Sequence, residues 1–575
     1  MHVVFLLFKL ASKIKRRMLK YFGKNSLTAK DLTLISIRKQ VYKRVKNCKK
    51  DYRQKIMYGP SFSLYEPTQI HDFLITQALI LRGAKIIPVG MGNLEEGESI
   101  FWGGVWGKYK DGEEKYNEIK RRQFYKNFFA CEKKLWKIWS SLEQVLLSKY
   151  LNQNDRETIR KIALGFDDEY KNWVYKQMPV GRWALDILRN NYMVGDEKLI
   201  KSYKSKLKKL LYNIILNIHA LEKTIDEIKP DIIVSNDSFY YPWSILEFLA
   251  KKKSIPFYSY WTPVGRNGTC AYAYNSPAMA LDLSELWKKW EKCNLSKDQK
   301  FFVDKALKNR KSMMIFNTDN SLKDNKINKF GDLGLDFNKK IVLLVSNIVW
   351  DLAALDKEIQ FRSMFEWISE VVNFFEKNQQ WQLIIKSHPV EENRHIPLTE
   401  QRVCDFIKSR HKKLSSNIIL LDAKTKYSVY DLFDFIDVGL SFTSTAGLEM
   451  ACEGIPVLTS GRASYHDKGF TYDTENNEKY FKALEHLLKD DLSDNKKKSI
   501  SEQARKFFLL QHFCYYMQPD FFDYIVGDKK GVVLRVNKME DLLPGENIGL
   551  DYICDSILNH LSIVSKERHP PLRLN

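Results

Sequence analysis

The run from Ile436 to Asp473 admits few folds. It reads Val438-Gly439-Leu440, then the hydroxyl-rich turn Ser441-Phe442-Thr443-Ser444-Thr445-Ala446-Gly447, then a segment through Glu449, then Gly454-Ile455-Pro456 and a second apolar run at Val457 and Leu458. Gly454 and Pro456 stop a helix before that second run. The pattern predicts strand, turn, helix and buried strand, the repeating unit of a layered α/β protein. The turn offers backbone N–H groups and hydroxyls at a helix N-terminus, where the helix dipole favours an anion. Glu449 falls about one turn into the helix, within reach of a ligand's sugar hydroxyls. A hydroxyl helix cap in an α/β protein with no ligand accounts for the same residues.

A second stretch shifts the balance. Gln382-Leu383-Ile384-Ile385-Lys386-Ser387-His388-Pro389 is a strand ending in Lys-x-His-Pro. Ligands of open α/β sheets bind at the carboxyl ends of strands. A cation and an imidazole there, followed by a chain-turning proline, suit a phosphate. His388 alone reads as a structural loop histidine; beside the Thr443–Glu449 turn, a ligand role is the better account.

Lys386-x-His388-Pro389, Ser444-Thr445 and Glu449-x4-Gly454-x-Pro456 together resemble the nucleotide-binding half of GT-B glycosyltransferases, in particular the capsule polysaccharide biosynthesis proteins. The His-Pro and Ser-Thr pairs are also similar to those of sialyl-, polysialyl- and Kdo-transferases, which use CMP-activated sugars, and to motifs of CDP-glycerol-dependent wall polymerases. The detailed match covers residues 336–480. The resemblance implies an α/β fold of two Rossmann-like domains facing a cleft, with a helical insertion and C-terminal helices. It implies a glycosyltransferase with a nucleotide-sugar donor, CMP-linked as the first choice, and a polysaccharide or lipid-linked saccharide acceptor. Lys386, His388, Thr443, Ser444 and Thr445 are assigned to phosphate and Glu449 to ribose. Ser346 and Asn347, which end a strand, are expected to line the cleft, with Tyr465 and Lys468 as neighbours. No Asp-x-Asp occurs in the sequence, so the positive groups and the helix terminus are expected to neutralise the leaving phosphate without metal, and no cofactor is expected.

Upstream, Lys55–Tyr58 and Lys85–Val89 read as strands flanking a helix over 69–82. This β-α-β start favours a parallel sheet. The turn lacks Gly-x-Gly-x-x-Gly, so a standard dinucleotide site is not indicated. Strands at Ile232–Val234 and Ile255–Tyr260 flank a helix over 242–252. Glu66, His71, Asp72 and Asp237 follow strands where strand ends should face the cleft, and each is a candidate base; Glu66 and Asp237 are favoured. As structural alternatives, Glu66 is a loop residue, His71 and Asp72 a helix surface, and Asp237 a helix cap. The expected organisation is a basic amphipathic region 1–55, an acceptor domain 56–285 carrying a helical insert, a linker 286–335, a nucleotide-sugar-binding domain 336–500 and a helical extension 501–575.

The 575 residues exceed one ordinary core, and the formal net charge of +22 favours anionic partners. Val3–Phe8 followed by Lys9, Lys13, Lys15, Arg16 and Arg17 reads as a basic amphipathic helix for an anionic membrane surface, which places the protein on the inner face of the cell membrane. A helix packed on its own domain is the alternative. Lysines along 199–221 suggest a second such helix or a solvated face. The Trp/Gly-rich stretch 91–110 reads as a loop, either one suited to stacking on a sugar ring or an irregular surface loop. The eight cysteines lie far apart with no Cys-x-x-Cys pair, which predicts reduced thiols in a cytoplasmic protein. No nucleic-acid-binding signature is present. A CDP-dependent polyol-phosphate transferase, a non-catalytic assembly scaffold and a basic nucleic-acid-binding protein are the competing readings.

Overall fold

The computed structural model describes residues 29–46, 52–61, 66–95, 144–165, 169–195, 203–262, 269–312, 330–351, 353–392, 399–411, 413–525 and 531–570. The expected amphipathic helix over residues 1–22 and nearly all of the Trp/Gly-rich loop lie outside these.

Two α/β sheets organise the chain. The first contains β1 (Gln54–Tyr58), β2 (Ala84–Gly90), β3 (Val145–Leu146), β4 (Ile232–Asn236), β5 (Phe257–Trp261) and β6 (Cys270–Tyr274). The second contains β7 (Ile341–Val345), β8 (Gln382–Lys386), β9 (Ile418–Leu421), β10 (Val438–Ser441), β11 (Val457–Thr459) and β12 (Tyr472–Asp473). The second sheet runs β12-β11-β10-β7-β8-β9, parallel throughout. Its central strands are apolar without alternation because helices cover both faces, and Ile341–Val345 and Gln382–Lys386 are buried at every position.

The first sheet is completed from the far end of the chain. Helix Asp494–Leu509 runs into a π-helical segment, Leu510–Tyr515, and then into β13 (Tyr516–Met517). β13 pairs antiparallel with β6, giving the order β13-β6-β5-β4-β1-β2-β3. A hairpin, β14 (Phe522–Ile525) with β15 (Gly531–Leu534), and helix Ile548–Leu558 follow. Ile553, Cys554 and Ile557 of that helix share one core with Phe73, Leu74 and Ala78 of helix Glu66–Leu81.

The helical insert is built from Gln153–Leu164, Val180–Tyr192 and Lys204–Ile228. The long helix sinks Leu207, Leu210, Leu211, Ile214, Ile215 and Ile218 into the core, so the expected amphipathic face over 199–221 serves packing within this domain. In the connector, Ser296 caps helix Lys297–Ser312 by accepting from the Gln299 N–H (3.2 Å). Among the described residues, six cysteines are free and no helix is long and apolar enough to cross a membrane.

Helix Glu66–Leu81 corrects one expectation. His71 and Asp72 are each 1% exposed, so neither forms a helix surface. The Asp72 carboxylate accepts from the hydroxyls of Tyr58 (3.0 Å), Ser61 and Tyr260. His71 stacks on Tyr260 with ring centroids 4.6 Å apart, and its Nε2 meets the Tyr272 hydroxyl at 2.9 Å. Burial, followed by the charge of Asp72, pushes the Tyr58 and Tyr260 hydroxyls far above their ordinary range, which keeps them as donors to Asp72. The cluster ties β1, β5, β6 and the helix together inside the domain.

Candidate functional site

The sheet order brings the two sequence motifs together. β8, β7 and β10 are consecutive in the sheet. Their carboxyl ends therefore present His388, then Ser346 and Asn347, then Thr443–Thr445 side by side. Ser346 is fixed by its N–H to the Lys386 carbonyl (3.2 Å). Asn347 Oδ1 accepts the Thr443 N–H (3.0 Å), so two strand ends are joined directly.

Ser444 is the N-cap of helix Thr445–Cys452. Its backbone is extended (φ −64, ψ 139) and its side chain accepts from the Ala446 N–H (3.3 Å). That bond satisfies one of the donors a helix start leaves open. Thr445, the first helical residue, is exposed, and Thr443 and Ser444 are half-buried. Tyr465 is 1% exposed and closes the turn from beneath. Its hydroxyl donates to the Ser444 carbonyl (2.6 Å) and meets Ser441 Oγ at 3.0 Å. Glu449 is 3% exposed, buried in the same helix behind the turn.

Gly447 makes this packing possible, because a Cβ there would lie 2.2 Å from the Tyr465 hydroxyl and 2.9 Å from Ser441 Cβ. Gly447→Ala is expected to cost about 1–3 kcal/mol through overpacking and to displace the turn. The unfolding midpoint in urea, compared with that of Tyr465→Phe/Gly447→Ala, checks it: removing the hydroxyl should recover part of the loss.

His388 follows β8 by two residues. Its Nδ1 accepts the Val390 N–H (3.2 Å), so the neutral ring carries its proton on Nε2. Burial, and then the positive charge of Lys386, push the imidazole down to about 4, so the ring is neutral at pH 7. Lys386 is itself buried and donates to the Ser387 carbonyl (3.1 Å). Burial brings its ammonium down to about 8, against the opposing pull of Asp422. Lys468 bonds to Ser284 Oγ (3.2 Å) and to the His466 carbonyl (3.0 Å), tying its loop to the start of helix Ser284–Trp290.

The candidate acids of the first domain separate clearly. Glu66 is exposed and paired with Lys30. Asp72 and His71 belong to the buried cluster described above. Asp237, after β4, is 4% exposed. Its carboxylate accepts the Met279 N–H (2.9 Å) and is bonded by the Phe239 and Ala278 N–H groups. Burial outweighs these bonds and raises it to about 7. Lys357 of the second domain acts on Asp237 electrostatically, with its ammonium 5.5 Å from the Phe239 ring centroid. Among the described residues, Asp237 is the one of the four sequence-named acids and bases with a recorded electrostatic interaction with a residue of the second sheet's domain, Lys357.

Beyond Ser346 and Asn347, the loop after β7 is a junction of the site that sequence reasoning missed. Thr443 Oγ1 donates to the Ala353 carbonyl. Trp350 Nε1 donates to Thr399 Oγ1 (3.0 Å), and Thr399 N–H reaches the Glu391 carbonyl (3.1 Å) on the segment that follows His388. Lys357 reaches the Asp237 loop. A run of tryptophan, aspartate and lysine after a buried strand was the signal available, and it matches many surface loops. Among the described residues, His466, Asp467 and Asp473 hold ligand-type atoms within 4.8 Å of one another. Asp473 already accepts from Thr459, from the Thr471 hydroxyl (2.8 Å) and from the Asp467 N–H (3.0 Å), and meets His466 Nδ1 at 3.0 Å. This set clamps the loop between β11 and β12.

Residues 278–505 match the family model of the capsule polysaccharide biosynthesis protein, a span that contains both motifs. Among solved structures, the chain is similar to the Thermosulfurimonas dismutans KpsC beta Kdo 2,7 transferase at 14% identity, covering 59% of this chain and 89% of that one, with a TM-score of 0.29. The beta Kdo 2,4 transferase of the same organism's KpsC matches at 13% identity over 53% of this chain and 85% of that one, with a TM-score of 0.31. The UDP-GlcNAc 2-epimerase from Neisseria meningitidis matches at 10% identity over 79% of this chain and 97% of that one, with a TM-score of 0.25. No curated protein matches the sequence.

Proposed function

We propose that this protein is a glycosyltransferase of capsule or other surface polysaccharide synthesis that binds a nucleotide-activated sugar, CMP-linked as the first choice, in its second domain. The observation that carries the reading is the alignment of His388, Asn347 and the Ser444 cap on three neighbouring strand ends of the segment matched by the family model. The open helix N-terminus and the His388 Nε2–H supply neutral and dipolar donors to a phosphate. The half-buried neutral imidazole would release its hydrogen bond to the leaving phosphate without a change of charge. Glu449 is assigned to the ribose, and reaching it requires the ligand to enter behind the turn. Lys386 acts on the phosphate through the field it adds to His388.

Asp237 is the general base for the acceptor hydroxyl. A carboxyl group near 7 is matched to proton abstraction at neutral pH, and it faces the donor half across Lys357. In this scheme the protein's groups supply the charge stabilisation and no metal step is needed. The acceptor is a surface or lipid-linked saccharide, and the +22 charge holds the enzyme to an anionic membrane face. Nucleic acid is not a partner.

Thermal stabilisation by CMP, CDP, UDP and GDP tests the donor half. Saturating CMP, at about 100 times its dissociation constant, stabilises by about 2.7 kcal/mol through mass action. His388→Ala is expected to remove most of that gain while leaving the melting point of the unliganded protein nearly unchanged. A preference for CDP would favour the polyol-phosphate transferase, and no response to any nucleotide would overturn the reading.

A further inference from the structure

The helical insert packs within the first domain, yet it also touches the loops of both halves. Asn190, near the end of helix Val180–Tyr192, is 4% exposed. Its Nδ2 donates to the Tyr240 hydroxyl (3.3 Å) and to the Trp350 carbonyl (3.3 Å). Tyr240 stands three residues after Asp237, on the loop that follows β4. Trp350 stands on the loop after β7, whose indole leads through Thr399 and Glu391 to the segment after His388. One amide thus links the loop of the acid to the loop that borders the donor turn.

Neighbouring contacts reinforce the crossing. Arg182 Nη1 lies 3.4 Å from Asp356 of the second domain. Met193 is buried in the second domain's core with Val349, Trp350 and Phe365. The Gly195 N–H donates to Gln401 Oε1 (3.2 Å), and a Cβ on Gly195 would come within 1.9 Å of Val349 Cγ2. These contacts are made by the insert, separately from the covalent connector and from the C-terminal segment that returns to the first sheet.

We propose that Asn190 is a positioning residue, and that through it the insert is a strut holding the Asp237 loop and the donor-side loop in register. The inference rests on the reading that these loops carry the two halves of one reaction. Asn190 touches no reacting atom in this scheme. Its effect is on alignment, to which transfer between two bound reactants is steeply sensitive.

The test uses the full chain and the variants Asn190→Asp, which keeps the shape and loses the donor, and Asn190→Ala. Nitroxide labels on keto-bearing residues introduced at exposed positions 252 and 489 report the distance between the domains by pulsed electron resonance. Turnover is followed with CMP-activated sugar as donor and the saccharide acceptor that wild type accepts. Both variants are expected to lose about 10²-fold in kcat. Donor KM and CMP stabilisation should stay within about twofold of wild type, and the distance distribution should broaden. Unchanged kcat with an unchanged distribution would overturn the strut, and so would equal losses of CMP stabilisation and kcat, which mark general unfolding. If wild type binds no nucleotide and transfers nothing, the functional reading falls by itself, and the distance distributions still decide whether Asn190 holds the domains.

Discussion

Replacing Asp237 by asparagine is expected to lower kcat by about 10²–10⁴-fold, the usual worth of a positioned general base. The amide can still accept the Met279 N–H that the carboxylate now takes at 2.9 Å, so the loop keeps its anchor. CMP stabilisation should be unchanged, because the nucleotide lies on the other domain in this reading. The pH profile adds a second readout. A base works as the carboxylate, and burial raises Asp237 to about 7, so kcat/KM of the wild type should rise with pH through about 7 and level above it. The asparagine variant should lack that rise. Glu66→Gln provides the contrast: its exposed side chain is paired with Lys30, and the substitution should leave turnover close to wild type. A full loss in Glu66→Gln with activity kept in Asp237→Asn would reverse the assignment.

The largest loss of stability is expected from Asp72→Ala. The substitution strips the acceptor from three hydroxyls, those of Tyr58, Ser61 and Tyr260, all in a buried setting. Each orphaned buried donor costs about 1–3 kcal/mol, and partial relaxation of the cluster brings the total to about 3–5 kcal/mol. The domains need not unfold together, so the measurement is the first transition in urea. Asp72→Asn retains one acceptor oxygen and should lose less. Nucleotide stabilisation of the second domain should survive in the fraction that remains folded. Equal stability of Asp72→Ala and wild type would show that the cluster contributes nothing net.

Different parts of this structure were legible to different degrees. The strands over Lys340–Val345, Gln382–Lys386 and Val438–Leu440 were readable because buried parallel strands are continuous apolar runs. The Ser444 cap was readable because capping is local chemistry within three residues. Asp72 was not. Its helix position looks like a surface until Tyr260 arrives from a strand 188 residues later in the sequence. Lys386 was named as a cation by residue type alone, whereas its burial and the charge of Asp422 beyond the next strand are long-range features that no local pattern carries. Trp350 and Lys357 carried no local signal, because their roles come only from the meeting of four loops. Asn190 was hidden for the same reason, inside an insert whose periodicity speaks of packing alone.

The path of the C-terminal segment has a consequence for biosynthesis. β6 reaches its outer neighbour only when Tyr516 and Met517 have been made, and the core around Phe73 and Leu74 needs Ile553 and Ile557. On a ribosome adding about 5–20 residues per second, the nascent first half therefore waits on the order of tens of seconds with a bare sheet edge and an uncovered apolar face. The second sheet, whose strands are contiguous in sequence, can close first. The half that is translated earlier thus matures last, and in that interval the Cys270–Tyr274 strand offers an open hydrogen-bonding edge to any other chain.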